Sequence, residues 1–195
     1  MTPAEPLIRA FLAIDLPAEI KQSIEIIIQQ LQKQYRNHRI RWVKSDNLHL
    51  TLQFIKELKT QDIDALVEQI KIRIADVRAF NIQLGAVELF PNPYHPTVIS
   101  LEVKPTDPLT QLVNMLKESL SAIGYSIERR PFRGHITLGR IVFKAKKHLP
   151  PDIQQPIIPE IPVKEIILFR SELTSLGPHY VVLHHLALKN ECSLD

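Results

Sequence analysis

A chain of 195 residues is long enough for one substantial hydrophobic core, or for two small lobes that share one. Its 45% hydrophobic and 6% aromatic content is that of a soluble globular protein, and a net charge of +3 permits an anionic partner without requiring one. The single cysteine, Cys192, excludes an intrachain disulfide and a cysteine-built metal cluster and fits a reducing compartment, while no apolar run approaches the roughly 20 residues that span a bilayer.

The opening segment, MTPAEPLIRAFLAIDLP, has no basic stretch ahead of its apolar part and breaks at Asp15. It reads as a first strand over Leu7 to Ile14 and not as a signal peptide, and a cytoplasmic location is expected. Pro17 suits the first turn of a helix, and Ile20, Ile24, Ile27, Ile28 and Leu31 share one face of a helix running to about Lys33. Tyr35 to Arg41 is a basic linker. Trp42-Val43 starts a short extended piece, Ser45 to Asn47 form a turn, and Leu48 to Phe54 alternate as a strand.

A second helix over Asp62 to Ile74 has Ile63, Leu66, Val67, Ile70 and Ile74 as its buried stripe. Phe80 to Leu89 and Thr97 to Val103 are strands joined by the stiff connection FPNPYHP. Thr106-Asp107-Pro108 supplies a capping oxygen and a first-turn proline to a third helix, whose apolar face is Leu109, Leu112, Val113, Leu116, Leu120 and Ile123, with Gly124 as its left-handed stop. His135 to Phe143 is a strand. Lys144 to Pro162 is polar and proline-rich and reads as a long loop, and Val163 to Arg170 and Tyr180 to Leu188 close the chain as a hairpin around Ser171 to His179. Helices interspersed with strands that are joined in places by short connections argue for an α+β fold with antiparallel or mixed sheets.

Two of these strands carry the same pattern. His49-Leu50-Thr51-Leu52 and His135-Ile136-Thr137-Leu138 are copies of histidine, aliphatic, threonine, leucine. Side chains at i and i+2 share a face of a strand, so each copy presents its His and Thr together while the aliphatic residues enter a core. The repetition suggests a two-lobed pseudo-duplication, one motif strand per lobe, with two half-sites facing one cleft. Two imidazoles on either side of a phosphodiester can divide acid and base work, because the ordinary histidine pKa near 6.5 leaves one protonated and one free around neutrality. Each Thr hydroxyl can donate to a non-bridging phosphate oxygen.

Such a scheme needs no metal, and the chain has no His-x-x-x-His pair, paired-carboxylate motif or cysteine ligand set. A zinc site joining His184 or His185 to His49 or His135 lacks supporting ligand spacing. Arg130 and Arg133, ahead of the second motif, are candidate phosphate ligands, whereas Arg129 and Arg140 read equally well as solvated charges flanking a strand. Arg36, Arg39, Arg41 and Lys44, with Lys144, Lys146 and Lys147, either track a nucleic-acid backbone or are simply solvated. Trp42, Phe11 and Phe132 are candidate base-stacking surfaces, Trp42 competing with a role in capping the core between the first strand and helix, with Phe90, Tyr94 and Phe169 also near the motifs.

The paired HLTL and HITL segments resemble the doubled His-x-Thr-x signature of the two-histidine (2H) phosphoesterase superfamily. The surrounding RAFLAIDLP, RWV ahead of NLH, RPF ahead of the second motif, LFRS and GPHY resemble its RNA 2′,3′-cyclic phosphodiesterase branch, also called the 2′-5′ RNA ligase family. The resemblance covers essentially residues 1–195 as one bilobal domain. It implies helices outside, a central cleft lined by the two motif strands, and metal-free, cofactor-free hydrolysis of an RNA 2′,3′-cyclic phosphate end to a 2′-phosphomonoester.

By the same resemblance His49 is the proton donor, His135 the proton acceptor, and Thr51 and Thr137 bind phosphate. Reverse 2′-5′ ligation follows from microscopic reversibility. The expected partner is RNA with a cyclic phosphate terminus, met by a monomer with no membrane association. Gly134 and Gly139 stand where the family often has proline and alanine. Two further readings remain: an RNA-end-binding module without turnover, and a phosphodiesterase for small cyclic nucleotides or tRNA-splicing cyclic phosphates.

Overall fold

Strand β1 (Leu7–Asp15) turns Ala10, Leu12 and Ile14 into the main core, and helix α1 (Ala18–Gln34) buries the five residues its periodicity predicts, Ile20, Ile24, Ile27, Ile28 and Leu31. The computed structural model describes residues 6–127, 130–142, 153, 155–175 and 177–190. After α1 come β2 (Ile40–Trp42), a 3-10 turn at Ser45–Asn47, β3 (His49–Lys59), α2 (Ile63–Ile74), β4 (Phe80–Phe90), β5 (Val98–Lys104) and α3 (Thr106–Ala122). They are followed by β6 (His135–Ile141), β7 (Ile161–Val163), β8 (Glu165–Thr174) and β9 (Gly177–Ala187).

Several local expectations change in three dimensions. Tyr35, assigned to a basic linker, is buried in the main core against the end of α1. Strand β3 runs on to Lys59, because β1 pairs with it as far as Leu7 opposite Lys59. Thr106 is the first residue of α3 rather than its cap: Pro105 takes the cap position and no side chain caps the helix. Gly124 does stop α3, at φ 85°, with the Gly124 amide donating to Ser121 and the Tyr125 amide to Leu120. The region expected as one loop from Lys144 ends in β7, where Pro162 faces Asn81 of β4, and residues 143–152 and 154 lie outside the described set. An edge strand accommodates that proline, because its missing N–H leaves no neighbour unsatisfied. Most of 171–179, expected as a connection, is strand, with Thr174 paired to Gly177.

The strands lie in the order β7-β4-β5-β6-β3-β1-β8-β9, with β2 also joined to β6, and every pairing between them is antiparallel. The α+β class holds, and of the two sheet types expected it is the antiparallel one that forms. One face of the sheet and the apolar stripes of all three helices make one core. The other face carries a small separate cluster of Phe11, Ala13, Ile167 and Phe169, with Tyr180 packed against it. At mid-sheet β3 and β6 meet through a single pair, Leu50 opposite Ile136, both fully buried in the core. The flanking residues of both strands are thereby turned to the opposite face.

Candidate active site

Carrying the Leu50–Ile136 register one residue each way sets His49 opposite Thr137 and Thr51 opposite His135. All four side chains share the face away from the core, and the two histidines are diagonal neighbours, with Cβ atoms somewhat less than about 7–8 Å apart by strand geometry. The sequence predicted that each His-Thr pair shares a face. The pairing of β3 with β6 brings the two pairs together.

Both imidazoles are held the same way. His49 Nδ1–H donates to the Asn47 carbonyl at 2.8 Å, and His135 Nδ1–H donates to the Arg133 carbonyl at 2.9 Å, in each case the residue two positions earlier. A carbonyl only accepts, so the proton sits on Nδ1 and the neutral ring keeps its lone pair on Nε2. His49 Nε2 accepts from the Thr51 hydroxyl at 2.9 Å. Asn47 is itself anchored, its amide donating to the Pro178 carbonyl of β9 at 3.0 Å.

Each ring also rests on a phenyl group. Phe11 stacks on His49 with centroids 4.8 Å apart, and Tyr180 meets the same imidazole edge-on at 5.3 Å. Phe90 stacks on His135 at 4.2 Å, and the Arg133 guanidinium lies over Phe90 at 4.9 Å. Arg133 further donates to the Pro91 carbonyl at 2.9 Å and lies 3.7 Å from the Glu88 carboxylate.

Across each histidine on its other neighbouring strand stands an acid: Asp15 opposite His49, Glu102 opposite His135. Each acid pairs with a lysine, Asp15 with Lys21 at 2.7 Å and Glu102 with Lys104 at 3.1 Å. Both histidine pKa values lie below the ordinary value, chiefly because burial disfavours the imidazolium. At His49 the Asn47 carbonyl and the Asp15 charge oppose that shift, while Lys21 and Arg140 add to it. At His135 the Arg133 carbonyl opposes it, and the charges of Arg133 and Arg140 add to it. Burial raises the Tyr180 phenol, against the charge of Arg140.

Arg140 therefore acts on three groups of the site although strict alternation from His135 assigns it to the core face. The reason is a bulge: β5 pairs Ser100 with Thr137 and Ile99 with Gly139, which leaves Leu138 as the extra residue and returns Arg140 to the face of His135 and Thr137. Ser100, opposite Thr137, is 1% exposed and its hydroxyl has no hydrogen-bond partner among the described residues. Ala13 holds the corresponding place opposite Thr51.

The other expected residues fall as follows. Phe11 is 3% exposed and has His49 on one face and Phe169, at 5.1 Å, on the other, so it is a wall behind the histidine and offers no surface to a base. Trp42 packs on the core with Ile40 over Gly139, where an added Cβ would come within 2.9 Å of the indole. Phe132 is likewise partly buried against the core. Arg130 lies in an exposed bend, its carbonyl accepting from Lys117 Nζ at 3.3 Å. Arg133 sits beside His135 but is already engaged with Phe90, Pro91 and Glu88. His185 Nδ1–H donates to Glu165 at 3.0 Å on the β8–β9 hairpin. Among the described residues no three His, Cys, Asp or Glu side chains gather as a metal site. Arg129 and the lysines at 144, 146 and 147 lie outside the described set. Sequence reasoning missed the partnership of Phe90 and Tyr180 with the two histidines and the inward turn of Arg140, since none of these follows from local spacing.

Comparison with known proteins identifies the family and the fold. The family profile described as LigT like Phosphoesterase matches twice in succession, over residues 14–100 and 99–180. The chain is 35% identical over 178 residues to the RNA 2′,3′-cyclic phosphodiesterase of Thermotoga maritima, covering 90% of this chain and 93% of that one. Among solved structures it is similar to TT0787 of Thermus thermophilus, with a TM-score of 0.79 and 26% identity over 95% of this chain and 100% of that one. It is also similar to Escherichia coli LigT complexed with 3′-AMP, with a TM-score of 0.75 and 31% identity over 94% of this chain and 99% of that one.

Proposed function

Because the chain belongs to the LigT-like phosphoesterase family, we propose that it hydrolyses the 2′,3′-cyclic phosphate end of an RNA to a 2′-phosphomonoester, without a metal, by acid-base catalysis at His49 and His135. The observation that carries this reading is the β3–β6 register. It sets two His-Thr pairs on one face as diagonal neighbours, with both Nδ1 protons committed to carbonyls, which turns both Nε2 atoms toward the shared face, that of His49 onto the Thr51 hydroxyl.

In this scheme neutral His135 takes a proton from water at Nε2 and the resulting oxygen attacks phosphorus. The bond to the 3′-oxygen breaks, and protonated His49 gives that oxygen a proton as it leaves. The phosphate stays on the 2′-oxygen. Thr51 and Thr137 donate hydroxyl hydrogen bonds to the non-bridging oxygens, and Arg140 offsets the charge that develops there. The direction of proton flow rests on the family resemblance. Burial lowers the pKa of both rings, the Asp15 charge opposing this at His49 while Lys21 and Arg140 add to it, and the Arg133 and Arg140 charges adding to it at His135. Run backwards, the same steps join RNA ends through a 2′-5′ linkage.

The two successive profile matches support one domain of two lobes, each contributing a motif strand. Both half-sites come from one chain, which favours a working monomer, and the single cysteine favours a reducing, cytoplasmic setting. The test is to incubate EDTA-treated protein with an oligoribonucleotide ending in 2′,3′-cyclic phosphate and to identify the product end by phosphorus NMR. A 2′-phosphate formed by wild type, and lost in His49→Ala and His135→Ala with RNA still bound, is the expected result. Turnover that chelation abolishes, or that survives both substitutions, would sink the mechanism.

A further inference from the structure

Resting on that reaction, and going beyond it to the identity of the substrate, is the pairing of β2 with β6, which sets Arg41 directly opposite Arg140. The bulge at Leu138 turns Arg140 to the catalytic face, so Arg41 shares that face too. Both arginines are exposed, and neither has a hydrogen bond or ion pair among the described residues. Some other cations are matched, Arg133 with Glu88 and Arg170 with Glu172, whereas Arg41 and Arg140 stand opposite each other with no acid between them. The two acids bordering the site are already held by Lys21 and Lys104.

Like charges directly opposite on paired strands cost stability, and an anion between or beside them offsets that cost. The pair is also held in place. Ile40 and Trp42, on the far face of β2, close over Gly139 so tightly that an added Cβ would come within 2.7 Å of Ile40 and 2.9 Å of Trp42. Gly139, having no Cβ, thus lets β2 close in and fixes where Arg41 stands. Arg140 exerts its charge on His49, His135 and Tyr180, and Arg41 stands across from it on β2, past Thr137 along β6.

We propose that Arg41 is the subsite for the 5′-phosphate of the terminal nucleotide, the next anion along an RNA strand that ends in a cyclic phosphate. Through it the enzyme distinguishes an RNA end from a free nucleoside 2′,3′-cyclic phosphate, which lacks that group. The forked guanidinium suits a phosphodiester, and contact with a backbone phosphate carries no base preference.

The experiment compares adenosine 2′,3′-cyclic phosphate with and without a 5′-phosphate, in wild type and in Arg41→Gln. Wild type is expected to favour the 5′-phosphorylated substrate about tenfold in kcat/KM at low salt, the range of one charge-assisted contact at an exposed site. In Arg41→Gln the ratio falls to about one, and the thermal midpoint stays level or rises as the like-charge pair is relieved. A wild-type ratio near one, or an equal loss on both substrates in the variant, overturns the subsite. Calorimetric binding of adenosine 2′,5′-bisphosphate against adenosine 2′-phosphate decides the same point without turnover. The bisphosphate binds about tenfold tighter to wild type only if the subsite exists, and equal affinities refute it. Absence of hydrolysis of either cyclic substrate is a separate result, and it counts against the reaction itself.

Discussion

His49 and His135 occupy equivalent points of two strand pairs, with Asp15 across from one and Glu102 across from the other, yet the charges that reach the two rings differ. Burial disfavours the imidazolium at both; at His49 the Asp15 charge opposes this and those of Lys21 and Arg140 add to it, while at His135 the Arg133 and Arg140 charges add to it. The supports differ as well. His49 is wedged against a fully packed aromatic cluster, whereas Phe90 is pressed onto His135 by a guanidinium tied to Glu88 and Pro91. Two strands of matched pattern thus carry two histidines with different surroundings.

The largest effects come from removing either ring. His49→Ala and His135→Ala are each expected to lower kcat by about 10²- to 10⁴-fold. The comparison is sharpened by what remains of the pH profile. Loss of the acid, His49, removes the fall in rate at high pH, and loss of the base, His135, removes the fall at low pH. The reverse pattern would exchange the two roles.

Thr51→Val and Thr137→Val come next, each expected to cost about 10- to 100-fold in kcat/KM through the lost donor to phosphate. Inorganic phosphate binding measured by calorimetry should weaken in both. Retained phosphate affinity in either would remove that threonine from the site.

A smaller effect separates the half-sites by pH. Both histidines should titrate below 6.5 in the free protein by proton NMR, so kcat/KM should peak on the acid side of that value and fall as pH rises through the pKa of the acid. The unfolded chain binds these protons more readily than the folded one, so stability should decline as pH drops below about 6.5. Arg133→Gln should raise the His135 pKa while leaving His49 in place, moving the low-pH limb upward with only a few-fold loss of rate. If His135 stays where it was and phosphate affinity collapses instead, Arg133 is a phosphate ligand rather than a brace.

Smallest of all is Ser100→Ala. Its buried hydroxyl lacks a partner among the described residues, and alanine already stands opposite Thr51 in the other half, so stability in urea should hold or rise by up to about 1 kcal/mol. A loss larger than that would mean the hydroxyl is satisfied in solution.

Much of the architecture could be read from the chain alone, because helix and strand faces follow from local spacing. The five buried residues of α1, the stripe of α2 and the glycine stop of α3 all obey that rule. So does the shared face of each His-Thr pair. Alternation fails where the pairing is irregular: it sends Arg140 toward the core with Ile136 and Leu138, and only the bulge against β5 reverses this. Phe11 reads as a stacking surface in the sequence because its neighbours Phe169 and Tyr180 lie far along the chain, on a predicted hairpin whose pairing with β1 no local pattern announces.

By itself the sequence determined which side chains travel together, since a period of two or of 3.6 residues is a property of the local backbone. It also determined the chemical kind of the site, two histidines each with a threonine, and with it the family. Tertiary structure decided which strands became neighbours and in what register, because burial of Leu50 against Ile136 is a contact between distant parts of the chain. From that contact follows the convergence of the two His-Thr pairs, while the pairings of β6 with β5 and β2 place Arg140 and Arg41 beside them.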